Sequence, residues 1–89
     1  MNAIFEQISL CDLIPSTRNA RTHDGRQIRQ IADSIERFGF TNPVLIDENS
    51  TLIAGHGRLE AANMLGLKQI PAIRIAHLSE VEKRALMLA

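Results

Sequence analysis

The stretch Ile53-Ala54-Gly55-His56-Gly57-Arg58-Leu59-Glu60-Ala61-Ala62 runs from an apolar strand, through two glycines and an arginine, into good helix formers. A strand–glycine–helix junction of this kind leaves backbone N–H groups at the helix start without intrahelical acceptors. Those donors, the positive end of the helix dipole and an arginine fork together suit a bound phosphate. Gly55 and Gly57 read as the positions that grant backbone freedom and close approach. The spacing predicts a helix over Arg58 to Leu65, stopped by Gly66.

Upstream, the pattern is a hairpin: Val44-Leu45-Ile46, a turn at Asp47-Glu48-Asn49-Ser50, and a return over Thr51-Leu52-Ile53-Ala54. Before it, Asp24 reads as a helix N-cap, with Gln27 completing a capping box. Ile28, Ile31, Ala32, Ile35 and Phe38 follow at helical spacing as one buried stripe, and Gly39 is the stop. Ala3 to Leu10 reads as an edge strand closed by Leu13-Ile14-Pro15. Downstream, Pro71 separates the glycine-motif helix from a strand at Ala72-Ile73-Arg74-Ile75. Ser79 and Glu82 form a second capping box, opening a last helix whose stripe of Val81, Ala85, Leu86 and Leu88 needs a partner.

These elements predict an α/β (α+β) domain: a small mixed sheet of about four strands with three helices, spanning residues 1–89. Its core is aliphatic, because aromatics are 3% of a chain that is 45% hydrophobic. The last helix runs to Ala89 without a stop signal, so the chain is expected to be part of a longer protein. Lys+Arg and Asp+Glu number 10 each, which argues against a domain gripping DNA by bulk charge. A local patch of Arg18, Arg21, Arg26 and Arg29, interrupted only by Asp24, is either a solvated face or an edge facing nucleic acid. The one cysteine, Cys11, excludes an internal disulfide and is expected to be a small buried residue. No apolar run reaches membrane-spanning length, and no signal pattern follows Met1, so a soluble, cytoplasmic protein is expected.

Three loops can converge on a ligand: Asn19-Ala20-Arg21, Gly39-Phe40-Thr41-Asn42-Pro43, and Gly55 to Arg58. Thr41 and Asn42 carry neutral donors and acceptors that suit a base or ribose, and Pro43 fixes the turn. Plain turn chemistry accounts for these residues as well. His56 reads as a ligand contact, a general acid–base candidate, or turn filler. His23, His77 and Cys11 lack ligand spacing, so no metal site is expected.

In this order the motifs resemble one family. Asn19-Ala20-Arg21, Ser34-Ile35-Glu36-Arg37-Phe38-Gly39, Asn42-Pro43-Val44-Leu45-Ile46, Ile53 to Ala62 and Leu65-Gly66 together resemble the N-terminal domain of the ParB family, in the ParB/sulfiredoxin superfamily. The resemblance implies binding of CTP with Mg2+, coupled in that family to closure of a clamp on DNA. It implies phosphate binding by Gly55, His56, Gly57 and Arg58, base and ribose binding by Thr41, Asn42 and Pro43, and support from Asn19 and Arg21. Chromosome-partition members show Gly-Glu-Arg-Arg where this chain has Gly55-His56-Gly57-Arg58, a form that resembles ParB-like domains of phage, mobile elements and DNA-methyltransferase neighbourhoods. Sulfiredoxins carry a catalytic cysteine in that turn; His56 stands here, so sulfinic-acid reduction is not expected. The expectation is a nucleotide-binding regulatory module of a DNA-associated protein, contacting DNA weakly through Arg18, Arg21, Arg26 and Arg29, with sequence-specific recognition expected of a C-terminal helix-turn-helix domain absent from this sequence. The alternatives are a weak NTPase or nuclease using His56, and a pure interaction module that could form a homodimer through its last helix.

Overall fold

The computed structural model describes residues 2–15 and 24–88; Arg18, Asn19, Arg21 and His23 lie outside the described residues. Strand β1 (Asn2–Ser9) leads into a short 3-10 turn at Leu10–Asp12, and helix α1 spans Gly25–Phe38. Strands β2 (Val44–Ile46) and β3 (Leu52–Ala54) form the hairpin, followed by α2 (His56–Leu65), β4 (Gln69–Ala76) and α3 (Glu80–Leu88). The sheet order is β1-β4-β2-β3. It is mixed: β1 and β3 pair antiparallel with β4 and β2, whereas β2 and β4 run parallel. The fold class read from the sequence is therefore the observed one, with β1 at an edge.

The core lies between the sheet and α2, against which α1 packs. Val44, Ile46, Leu52, Ile70 and Ala72 are fully buried on the sheet, with Leu59 and Ala62 of α2 packed over them. Each buried Ile, Leu or Val contributes about 1.5–3 kcal/mol relative to exposure, so an aliphatic core suffices without aromatics. Asp24 caps α1 by accepting from the Gln27 N–H at 2.8 Å, and Gly39 ends it. The capping box of α3 is reciprocal: Glu82 N–H donates to Ser79 Oγ at 3.1 Å and Ser79 N–H donates to Glu82 Oε1 at 2.9 Å.

Several expectations are corrected. Phe38 is exposed, at the end of a stripe that has run out of partner, and the Arg37 guanidinium lies over its ring instead. Only Ala32 of that stripe is fully buried; Ile28, Ile31 and Ile35 are half-buried. Pro71 lies within β4, one residue before the β2 pairing begins at Val44–Ala72, so its missing N–H costs no bond on that side. Cys11 is exposed, because the 3-10 turn directs Leu13 inward and leaves Cys11 beside Ser9 Oγ at 3.0 Å. Of the α3 stripe, Val81 and Ala85 are exposed.

Polar residues that the hydrophobic pattern did not single out hold the hairpin end together. Asp47, 5% exposed, accepts from the N–H groups of Asn49 (2.8 Å) and Thr51 (2.9 Å) through Oδ1, closing the turn. Its Oδ2 accepts from Lys83 Nζ at 3.2 Å, which fastens α3 to the hairpin. Arg74 donates from Nη2 and Nε to the two carboxylate oxygens of Glu6 of β1, at 2.8 and 3.1 Å, and from Nη1 to the carbonyls of Asp47 and Glu48. One arginine thus ties an edge strand, a central strand and the turn.

Burial alone would raise the Asp47 pKa, but the two backbone N–H donors and Lys83 carry it below the ordinary carboxylate value. A depressed folded-state pKa gives stability that is full above the unfolded value near pH 4 and is lost as pH falls through the folded value. The urea midpoint of the native chain should therefore hold near neutrality and drop below about pH 4. Asp47→Asn should be less stable at pH 7 by about 1.5–3 kcal/mol, with a shallower acid limb. An Asp47→Asn chain with an unchanged acid limb would remove Asp47 from this role.

Candidate functional site

Beside the core, between the C-terminal half of α1, the loop after it and the start of α2, lies a cleft of about 310 Å³. That is the low end of the range typical of small-molecule sites, about 300–1,000 Å³. One wall is α1, with Gln30, Ile31, Ser34 and Ile35. The end is the loop, with Gly39, Phe40, Thr41 and Asn42; Arg58 enters from the first turn of α2. The half-buried isoleucines of α1 are thus partly core and partly cleft lining.

Arg58 is set there by its surroundings. Its Nη2 donates to the Pro43 carbonyl at 3.3 Å, tying α2 to the α1–β2 loop. Its Nε is buried and has no hydrogen-bond partner among the described residues. Burial pulls the guanidinium pKa below its ordinary value, yet arginine stays protonated at neutral pH. A half-buried cation without a carboxylate partner among the described residues is costly in isolation and suits an incoming anion.

Helix α2 begins two residues earlier than the sequence spacing predicted, at His56, with Gly55 as N-cap. Gly55 alone of the two motif glycines adopts a left-handed conformation (φ 107°, ψ 27°), and Gly57 is buried inside the first helical turn. A Cβ on Gly55 would stand 2.7 Å from Val44 Cγ1 and 3.1 Å from Arg58 Nη2. The first helical bond runs from Leu59 N–H to the Gly55 carbonyl at 2.9 Å, leaving the N–H groups of the first turn without intrahelical acceptors.

Of the sequence candidates, Thr41, Asn42 and Arg58 line one cleft. Pro43 adjoins it through its carbonyl, while Gly55, His56 and Gly57 form the junction behind Arg58 without lining it. Arg26 and Arg29 are exposed on α1. Gln30 and Ser34 were missed, because an amphipathic stripe marks which residues are apolar and says nothing about polar neighbours flanking a cleft. Among the described residues, no three His, Cys, Asp or Glu side chains gather as a metal site, and no helix is long and apolar enough to cross a membrane.

The sequence profile of the ParB N-terminal domain matches residues 1–89. The chain belongs to that family. It is 48% identical over 75 residues to the ParB-like nuclease domain-containing protein YnaK of Escherichia coli K12, covering 84% of this chain and 86% of that protein. The fold is shared with the C-terminally truncated chromosome-partitioning protein ParB from Caulobacter crescentus complexed with CTP-gamma-S. There the TM-score is 0.81 at 20% identity, over 94% of this chain and 50% of that one. Sulfiredoxin from Arabidopsis thaliana has the same fold, with TM-score 0.72 and 21% identity over 97% of this chain and 98% of that one. This ParB-family chain spans 21–25% of the length of the partitioning proteins it matches.

Gly55→Ala should destabilise the domain by about 2–4 kcal/mol, combining a strained backbone with a clash against Val44. Urea unfolding measures it. A loss under 0.5 kcal/mol would show that the junction relaxes freely and that Arg58 is not fixed by it.

Proposed function

We propose that this ParB-family domain binds a nucleoside triphosphate, CTP foremost, as the nucleotide-responsive module of a cytoplasmic, DNA-associated protein of the partition or DNA-modification kind. The observation that carries this reading is Arg58: a half-buried guanidinium whose Nε has no partner among the described residues, entering the same cleft as Thr41 and Asn42. Phosphate oxygens would meet Arg58, with the backbone N–H groups of Gly55, His56 and Gly57 at the start of α2 as the next donors. Thr41 and Asn42 would contact ribose and base, with Pro43 holding the loop. The solved ParB that carries CTP-gamma-S on this fold supports the choice of ligand.

Arg58 is the sole charged side chain among the described lining residues, so it cannot balance a triphosphate alone. A bound Mg2+ would supply the missing positive charge. With no carboxylate in that lining, the phosphate oxygens and water would hold the ion. Contact with DNA through Arg26 and Arg29 would be weak and would fade with salt, given a net charge of zero.

Titration calorimetry of the purified chain with CTP-gamma-S and Mg2+ tests the reading. Binding should be saturable, and Arg58→Ala should weaken it about 10- to 100-fold, the worth of one or two charge-assisted bonds. Affinity unchanged in Arg58→Ala would refute the site, and absence of binding by the native chain would refute the function.

A further inference from the structure

The two edges of the sheet are finished differently. On the β3 side, Ile14 N–H donates to the Ser50 carbonyl at 2.9 Å and the Ile14 carbonyl accepts from Leu52 N–H at 2.8 Å, a parallel bridge that covers that edge. On the other side, β1 pairs with β4 alone among the described residues. The register says which of its backbone groups face outward. Leu10 N–H donates to the Lys68 carbonyl at 3.0 Å, so the hydrogen-bonded pairs with β4 fall at the even-numbered residues of β1. Gln7 stands opposite Pro71, which has no N–H to give, in agreement with that parity. The N–H and C=O groups of Ala3, Phe5 and Gln7 therefore point away from β4.

Edge strands are ordinarily kept from pairing by shortness, a lysine, a proline or a bulge. Strand β1 has none of these: it is 8 residues long, follows β4 without a register shift and contains neither lysine nor proline. Its one charge, Glu6, is drawn back to Arg74 on the neighbouring strand at 2.8 Å. What it offers instead is apolar, with Ile4 59% and Phe5 64% exposed.

We propose that this edge pairs antiparallel with β1 of a second copy, about a two-fold axis at Phe5, joining two four-stranded sheets into one. In that register Phe5 faces its own counterpart, Ala3 faces Gln7 and Ile4 faces Glu6. The outward groups of residues 3, 5 and 7 are all satisfied, in about six hydrogen bonds, with an aromatic pair at the centre. Moving the axis to Glu6 would set two carboxylates directly opposite, and moving it to Ile4 would shorten the seam. A second copy suits this seam because the strand's one charge is already paired and the chain's 10 basic and 10 acidic residues leave no net repulsion between copies. With the β3 edge covered, association closes at two. About seven paired residues at about 3.4 Å each give a seam about 24 Å long, which buries well under about 1,200 Å² and predicts a reversible dimer with a dissociation constant on the order of 100 µM.

Sedimentation velocity of the chain without nucleotide, from about 10 µM to about 1 mM, measures it. The mass should rise from one copy towards two across that range. Phe5→Lys and Phe5→Glu each set like charges opposite at the axis and should weaken association at least about tenfold, whereas an equimolar mixture of the two chains should recover it. Val81→Lys, on the exposed face of α3, should leave it unchanged. Amide exchange in the native chain gives a readout free of substitutions: the outward N–H groups of Phe5 and Gln7 should exchange about three- to fivefold more slowly at 1 mM than at 10 µM, and those of Ile4 and Glu6 should not respond. A native chain that stays monomeric to 1 mM overturns the proposal. A dimer that survives Phe5→Lys, or is lost in Val81→Lys, overturns it as well, as do Phe5 and Gln7 amides indifferent to concentration.

Discussion

The geometry of the cleft depends on the absence of one side chain. Gly55 must turn left-handed to end β3 and start α2, and the space where its Cβ would sit is taken by Val44 and Arg58. Val44 is fully buried at the start of the central strand β2, so it cannot yield without opening the core. The close approach at Gly55 therefore fixes two things together: the packing of strand on helix start, and the placement of the arginine that α2 carries. The Pro43 carbonyl then ties that arginine to the loop from α1. Core packing and site geometry are one constraint here, which is why the site sits on rigid elements and not on a free loop.

At the opposite end of the hairpin, charges are matched. Glu6 meets Arg74 on both oxygens, and Asp47 is satisfied by two N–H groups and Lys83. Hydrogen bonding from Arg74 lowers the Glu6 pKa, as expected of a pair that favours the charged forms. Arg58 is treated differently: it is desolvated, with one carbonyl acceptor and no acid among the described residues. In a domain this small, a mismatched charge costs a meaningful fraction of total stability. The contrast between the two ends distinguishes a structural network from a surface prepared for a ligand.

The element order, the mixed sheet and the convergence of Thr41, Asn42 and Arg58 were legible in the sequence, because strand alternation, caps and glycine stops are local signals. Asp24 and Ser79 announced their helices through side chains only a few residues away. The start of α2 was misjudged because a glycine pair reads as a turn, whereas Gly57 is already helical and only Gly55 carries the unusual backbone. Arg74, Asp47 and Lys83 were illegible as a unit, since their bonds join β4 to β1 and α3 to the hairpin across sequence separations of 68 and 36. Charge in a strand has no periodic signature; it becomes meaningful only when the register sets Ile4 against Arg74 and brings Glu6 within reach.

The α1 stripe carries the deeper lesson about pattern and function. Apolar residues at helical spacing were read as core, and Ala32 is core, yet Ile31 and Ile35 also wall the cleft. Leaving two isoleucines half-buried forgoes about 1 kcal/mol each of possible stabilisation relative to full burial. Helix α2 carries small buried residues at Gly57, Ala61 and Ala62. The same aliphatic stripe then serves two purposes, holding the helix to the domain and offering an apolar face to whatever neutral body accompanies the anion. Hydrophobic periodicity records the first purpose. The second becomes visible only where a cation such as Arg58 stands beside the stripe without a counter-charge among the described residues.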